Sequence, residues 1–139
     1  SDNKIIDSFK NTYWPGRLEE IKHNIYIDGA HNKPAIEALF RNVNTIFKDK
    51  KVTVLFSALR DKDINEMLNI IKAYNFKIIL TSFPDFRFES LKPFSNEKIK
   101  YVENSISLLN ELSNNIKENE VIIVTGSLHF IGYIKNNFN

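Results

Sequence analysis

Runs of β-branched apolar residues alternate along this chain with stretches whose apolar positions recur every three or four residues, and that alternation leaves few folds open. Val52 to Phe56 (VTVLF), Lys77 to Leu80 (KIIL) and Val121 to Thr125 (VIIVT) are too continuously apolar to keep one face in water. They read as strands buried on both sides. Asn24 to Asp28 (NIYID) reads the same way, and Lys100 to Val102 is a shorter fifth candidate. Between them, Ile36, Leu39, Phe40, Val43 and Phe47 mark one face of a helix from Pro34 to Phe47. Ile64, Met67, Leu68 and Ile71 mark a second from Ile64 to Tyr74, with Asp63 placed to cap it. Ile106, Leu109, Leu112 and Ile116 mark a third, opened by Asn104 or Ser105, and a last helix runs from Leu128 to about Phe138.

Two segments interrupt the rhythm. Trp14-Pro15-Gly16-Arg17 is a turn by composition, and Leu18 to Lys22 after it can pair antiparallel with Asn24 to Asp28. Phe83 to Ser95 carries Pro84 and Pro93 among aromatic and charged residues and reads as a long loop. The whole pattern predicts a Rossmann-like α/β domain in three layers, with a mostly parallel sheet of about six strands, one of them antiparallel, and helices on both faces. At 139 residues and 42% hydrophobic content the chain can bury one core and not two.

Composition excludes several classes of function. There is no cysteine, hence no disulfide, thiolate nucleophile or zinc ribbon, and the cytoplasm is the expected compartment. Nineteen basic against seventeen acidic residues, spread without a block, argue against nucleic acid as a partner. No apolar run approaches the roughly 20 residues that span a bilayer, so no membrane association is expected. The spacing of His, Asp and Glu matches no protein-held metal site, and neither GxxxxGK[ST] nor GxGxxG occurs. The first residue is Ser1 and the sole methionine is Met67, from which a piece of a longer chain is expected.

In such a sheet, ligands bind outside the carboxyl ends of the strands. Three junctions there are polar: Asp28-Gly29-Ala30-His31-Asn32, Ser57 to Asp63, and Thr125-Gly126-Ser127. A carboxylate at Asp28 can accept from ribose hydroxyls and the His31 imidazole can reach a phosphate or a reacting carboxyl, although Asp28 and Asn32 can also serve as helix caps. Ser127 beside free helix amides suits an anion and equally suits a plain cap. Asp61-Lys62-Asp63 reads first as a solvated loop tip and only second as part of a site. Arg17 offers a guanidinium in a fixed turn, Trp14 reads as packing, and the absence of GxSxG argues against a hydrolase serine at Ser127.

YWPGRLE from Tyr13, IDGAHN from Ile27, ALRDKD from Ala58 and VTGSLHFIG from Val124, in this order, resemble the C-terminal domain of the Mur ligase superfamily, and within it the folylpolyglutamate synthase and dihydrofolate synthase family. The resemblance spans almost the whole chain. It implies an ATP-dependent ligase that phosphorylates a substrate carboxylate and lets an amino acid's amine attack the acyl phosphate. It further implies that Arg17 and Asp28 contact ATP, and that His31 and Ser127 serve glutamate binding and ligation. Magnesium and the phosphate loop would belong mainly to a preceding central P-loop domain. Residues 1–139 would then form one C-terminal domain, with residues 1–13 as connector, cut from a monomeric enzyme whose partners are ATP, glutamate and a folate-type acid, and unable to turn over alone. Lys33 precedes Pro34 where the family has Pro directly, Ser57 replaces a common Gly, and His129 a common Tyr. A cell-wall Mur-type ligase domain, or a binding module for a nucleotide or anion without chemistry, are the alternatives.

Overall fold

The computed structural model describes residues 18–139; Trp14, Arg17 and the connector at 1–13 lie outside the described residues. The strands are β1 (Glu19–Lys22), β2 (Ile25–Asp28), β3 (Lys51–Phe56), β4 (Lys77–Ser82), β5 (Lys100–Asn104) and β6 (Glu120–Thr125). The helices are α1 (Lys33–Ile46), α2 (Ile64–Lys72), α3 (Ser105–Asn115) and α4 (Leu128–Asn137). They form one six-stranded sheet in the order β1-β2-β6-β3-β4-β5, parallel except for β1 against β2.

Successive side chains of a strand point to opposite faces, and here both faces are apolar. Tyr26, Val54, Phe56, Leu80 and Ile123 pack with α1 and α2 on one side. Ile25, Ile27, Leu55, Ile122 and Val124 pack with α3 and α4 on the other. Phe40, Phe56 and Phe130 are wholly buried, each worth about 1.5–3 kcal/mol relative to exposure.

Each helix opens on a side-chain cap. Asn32, Asp63 and Asn104 accept from the amides of Ala35, Glu66 and Ser107 at 2.9–3.0 Å, and Ser127 accepts from His129 and Phe130. Because each helix follows a parallel strand, all four N-termini lie at the carboxyl end of the sheet.

Differences from the sequence reading concentrate around β4. That strand continues through Thr81 and Ser82, whose hydroxyls donate to the carbonyls of Val102 and Glu103 on β5, so two polar residues extend the ladder. The segment after it is a loop with anchored ends. Phe83 and Leu91 are buried, the Phe83 ring lies 5.4 Å from those of Phe88 and Phe130, and Lys92–Phe94 form a short 3-10 turn.

Candidate functional site

Strand register builds the floor of the site. Asp28 pairs with Thr125, and Thr125 with Phe56, so β2, β6 and β3 end level and release Gly29, Gly126 and Ser57 side by side. The exits are then joined by hydrogen bonds. Thr125 Oγ1 donates to the Asp28 carbonyl at 2.8 Å, and the Gly126 amide donates to Ala30 O at 3.2 Å. The Ser57 amide donates to Thr125 O at 3.2 Å, and its hydroxyl to Thr81 O at 2.6 Å. Gly126 stands at φ 121°, and a Cβ there would come within 2.3 Å of the Ser57 carbonyl oxygen. Only glycine allows β6 and β3 to meet so closely.

Asp28 is buried, and its carboxylate does local work. Oδ1 accepts from the Ala30 amide at 2.9 Å and Oδ2 from the Leu18 amide at 3.0 Å. Leu18 itself is buried at φ 41°, a left-handed conformation unusual for a branched residue. A charge-assisted hydrogen bond at its amide offsets such strain. Asp28 therefore fastens the chain entering β1 to the turn leaving β2. The cap of α1 falls to Asn32 alone.

Above this floor, a cavity of about 160 Å³ is lined by His31, Asp61, Lys62, Arg87, Ser127 and His129, among others. His31 is half-buried, and its Nδ1 donates to the Gly29 carbonyl at 2.9 Å. A carbonyl oxygen can only accept, so in the neutral ring Nε2 is the bare acceptor. Ser127 is buried and its oxygen is filled by the amides of His129 and Phe130 at 3.1 and 3.4 Å. Its proton remains available to an incoming oxygen.

Of the residues singled out from sequence, the structure brings His31 and Ser127 to one cavity and puts Asp28 in the floor of the same rim. Arg17 lies outside the described residues. Asp61 and Lys62, read first as solvated, line the cavity, whereas Asp63 caps α2. Arg60 turns away, its guanidinium 5.0 Å from the Phe94 ring and bonded to Ser90 O. Arg87 was missed. It sits in the loop leaving β4, where Nε and Nη2 donate to the two oxygens of Asp85 at 3.0 and 2.9 Å and its amide donates at 2.9 Å. These bonds hold the Asp85 carboxyl down at about 2 and raise the Arg87 guanidinium. The signal was a charged pair at a fourth strand exit on the same edge.

Among the described residues no group of three His, Cys, Asp or Glu could hold a metal ion, and no helix is long and apolar enough to cross a membrane. The model of the family described as Mur ligase, glutamate ligase domain, matches residues 16–128. The chain belongs to this family. Within it, the chain is 31% identical over 144 residues to a dihydrofolate synthase/folylpolyglutamate synthase of Bacillus subtilis, covering 97% of this chain and 33% of that protein. A UDP-N-acetylmuramoyl-L-alanyl-D-glutamate–2,6-diaminopimelate ligase of Helicobacter pylori is 31% identical over 126 residues, covering 80% of this chain and 27% of the relative. The crystal structure of a bifunctional folylpolyglutamate synthase/dihydrofolate synthase of Yersinia pestis, complexed with AMPPNP and Mn ion, shares the fold. It has a TM-score of 0.79 at 20% identity over 98% of this chain and 34% of that one. The glutamate ligase domain described here thus spans about a third of the length of the relatives it matches.

Proposed function

We propose that the full-length protein joins glutamate to the carboxylate of a folate-type acid with ATP as the driving reactant, and that this domain holds the glutamate. The observation that carries the reading is the cavity itself. At about 160 Å³ it is well below the roughly 300–1,000 Å³ of drug-sized ligand sites, a size that suits a single amino acid. It also combines a bare imidazole nitrogen, a free hydroxyl proton and the cation of Lys62.

In this reading the γ-phosphoryl group of ATP passes to the acceptor's carboxylate, giving an acyl phosphate and ADP. The glutamate amine attacks the acyl carbon, a C–N bond forms, the C–O bond to phosphate breaks, and inorganic phosphate leaves. His31 Nε2 takes the proton that the nitrogen sheds. The Ser127 hydroxyl, at the start of α4, binds the carboxylate beside that amine. Arg17 and Asp28 approach the nucleotide at the rim, and a companion domain supplies the phosphate loop and most of the contacts to a divalent metal. Closure of that domain excludes water from the acyl phosphate. The same reading makes the enzyme a cytoplasmic monomer and this chain alone inactive.

Coverage of 97% of the chain by the folate-type relative, against 80% by the cell-wall type, supports the folate-type acceptor, as does the WPGR sequence from Trp14 to Arg17. The test is ADP release by the full-length protein with ATP, glutamate and dihydropteroate or tetrahydrofolate, with the product identified by mass. Replacing His31 by Ala should slow amide formation by about 100-fold or more with the fold retained. Turnover only with a UDP-muramoyl peptide, or an indifferent His31→Ala variant, would sink the reading.

A further inference from the structure

The Asp85–Arg87 pair has a space on either side of it. Arg87 lines the cavity of His31 and Ser127, and Asp85 lines a second one, of about 410 Å³, which shares no residue with the first. We propose that this second cavity binds an organic cation of the guanidinium type, a flat charged head on an apolar stem. The assignment is independent of the reaction described above. Three elements supply the walls: Phe83, Asp85 and Phe88 from the loop after β4, Glu103 and Ser105 from the junction of β5 with α3, and Tyr133 from α4.

Three observations carry it. First, Ser105 is the exception among the buried polar residues. Asn24, Asp28, Ser57, Thr81, Thr125 and Ser127 all place their side chains in hydrogen bonds. The Ser105 hydroxyl, in a residue only 3% exposed, has no partner among the described residues. Nor does it cap α3, since Asn104 accepts from the Ser107 amide in that role. Among the described residues no side-chain polar atom is both sealed from solvent and unbonded, so this hydroxyl opens onto a space, and the cavity is the space that Ser105 lines. Burying a polar group costs free energy unless a hydrogen bond offsets it, and here a ligand can supply the bond.

Second, the charge of the cavity has one sign. Two carboxylates line it, and no Lys, Arg or His does. Asp85 is compensated by Arg87 at 2.9 Å. Glu103 is not. It is exposed, its Oε2 accepts from the Tyr101 hydroxyl at 2.7 Å, and no cation among the described residues pairs with it. An anion would be repelled here, and a cation would find both an open carboxylate and an acceptor at Ser105.

Third, the rest of the lining is aromatic. The rings of Phe83 and Phe88 meet edge to face at 5.4 Å, Phe83 is buried, and Phe88 and Tyr133 are half-buried. Ring faces attract a cation laid over them, and a guanidinium can stack there while its N–H groups, in the plane of the head, meet a carboxylate. A hard metal ion takes six or more oxygen ligands, which three rings and two carboxylates do not provide. The volume lies within the roughly 300–1,000 Å³ of small-ligand sites, enough for the head and its stem.

The experiment is calorimetry on the full-length enzyme with butylguanidinium, and with butylurea as its uncharged counterpart of the same shape. Butylguanidinium should saturate one site, and butylurea should bind about 10-fold more weakly or worse, the factor expected when a hydrogen bond loses its charge. Glu103→Gln should weaken butylguanidinium by about 10-fold and Ser105→Ala by about 3-fold, with glutamate-dependent ADP release unchanged in both. A short peptide with one arginine presents the same head. If it binds more tightly than butylguanidinium, the cation comes from a partner protein; if it binds equally, the cation is a free small molecule. Absence of saturable butylguanidinium binding, equal affinity for butylurea, or an affinity unmoved in Glu103→Gln and Ser105→Ala overturns the assignment. So does a loss of ADP release in Ser105→Ala, which would make the cavity part of the reaction centre.

Discussion

The two ends of the sheet differ in a way that volume alone would misread. At the amino ends of β3, β4 and β6 lies an open groove of about 890 Å³ bordered by Lys48, Lys50, Lys51 and Lys77 together with Glu111 and Glu120. At the carboxyl ends lies a cavity of about 160 Å³. The larger space has a structural explanation. The helices end there, and Lys50 donates to the Glu118 carbonyl, in the turn that leads into β6, at 2.8 Å. The smaller space has buried polar groups around and beneath it. Asp28, Ser57, Thr81, Thr125 and Ser127 are all at most 7% exposed, and all are hydrogen-bonded. Polar atoms are costly to bury, so their concentration at one end marks where the fold has been shaped for something besides packing.

The sharpest way to break this contrast is Gly126→Ala. The left-handed backbone and the clash with Ser57 O should together cost about 4 kcal/mol, read as a lowered urea midpoint at unchanged slope. A loss under about 1 kcal/mol would mean that the β6 and β3 exits are not locked together. Next in size is Asp28→Ala, which strips the acceptor from the amides of Leu18 and Ala30 and should cost about 2–3 kcal/mol in the same assay. The smallest effect belongs to the opposite end. Lys48→Ala with Lys77→Ala should change stability by no more than about 0.5 kcal/mol and leave glutamate-dependent ADP release by the full-length protein at its original rate. A fall in that rate would return the large groove to consideration.

What could be read in advance followed from local regularities. The stripe from Ile36 to Val43, the cap at Asp63 and the continuous apolar run at Val121 to Val124 each speak within a few neighbours, and each was found where expected. The convergence of His31 and Ser127 was legible too, because parallel strands oblige their exits to share one edge. Thr81 and Ser82 lie beyond the strand read at Lys77 to Leu80 because their hydroxyls satisfy a neighbouring strand that the sequence does not reveal. For Asp28 the sequence suggested a ligand or a cap, and the structure adds hydrogen bonds from the amides of Ala30 and of Leu18, the latter 10 residues upstream in a rare conformation. Arg87 went unnoticed for a related reason: its orientation comes from Asp85, and only the folded loop brings it to the cavity.

The stitching between strand exits separates two jobs that many pockets leave entangled. The base of the cavity is main chain and short hydroxyls, each already engaged, so exchanging side chains on the overhanging β4 loop leaves that base undisturbed. Substitutions in the loops above can therefore reshape the cavity while the strand ends beneath it keep their places.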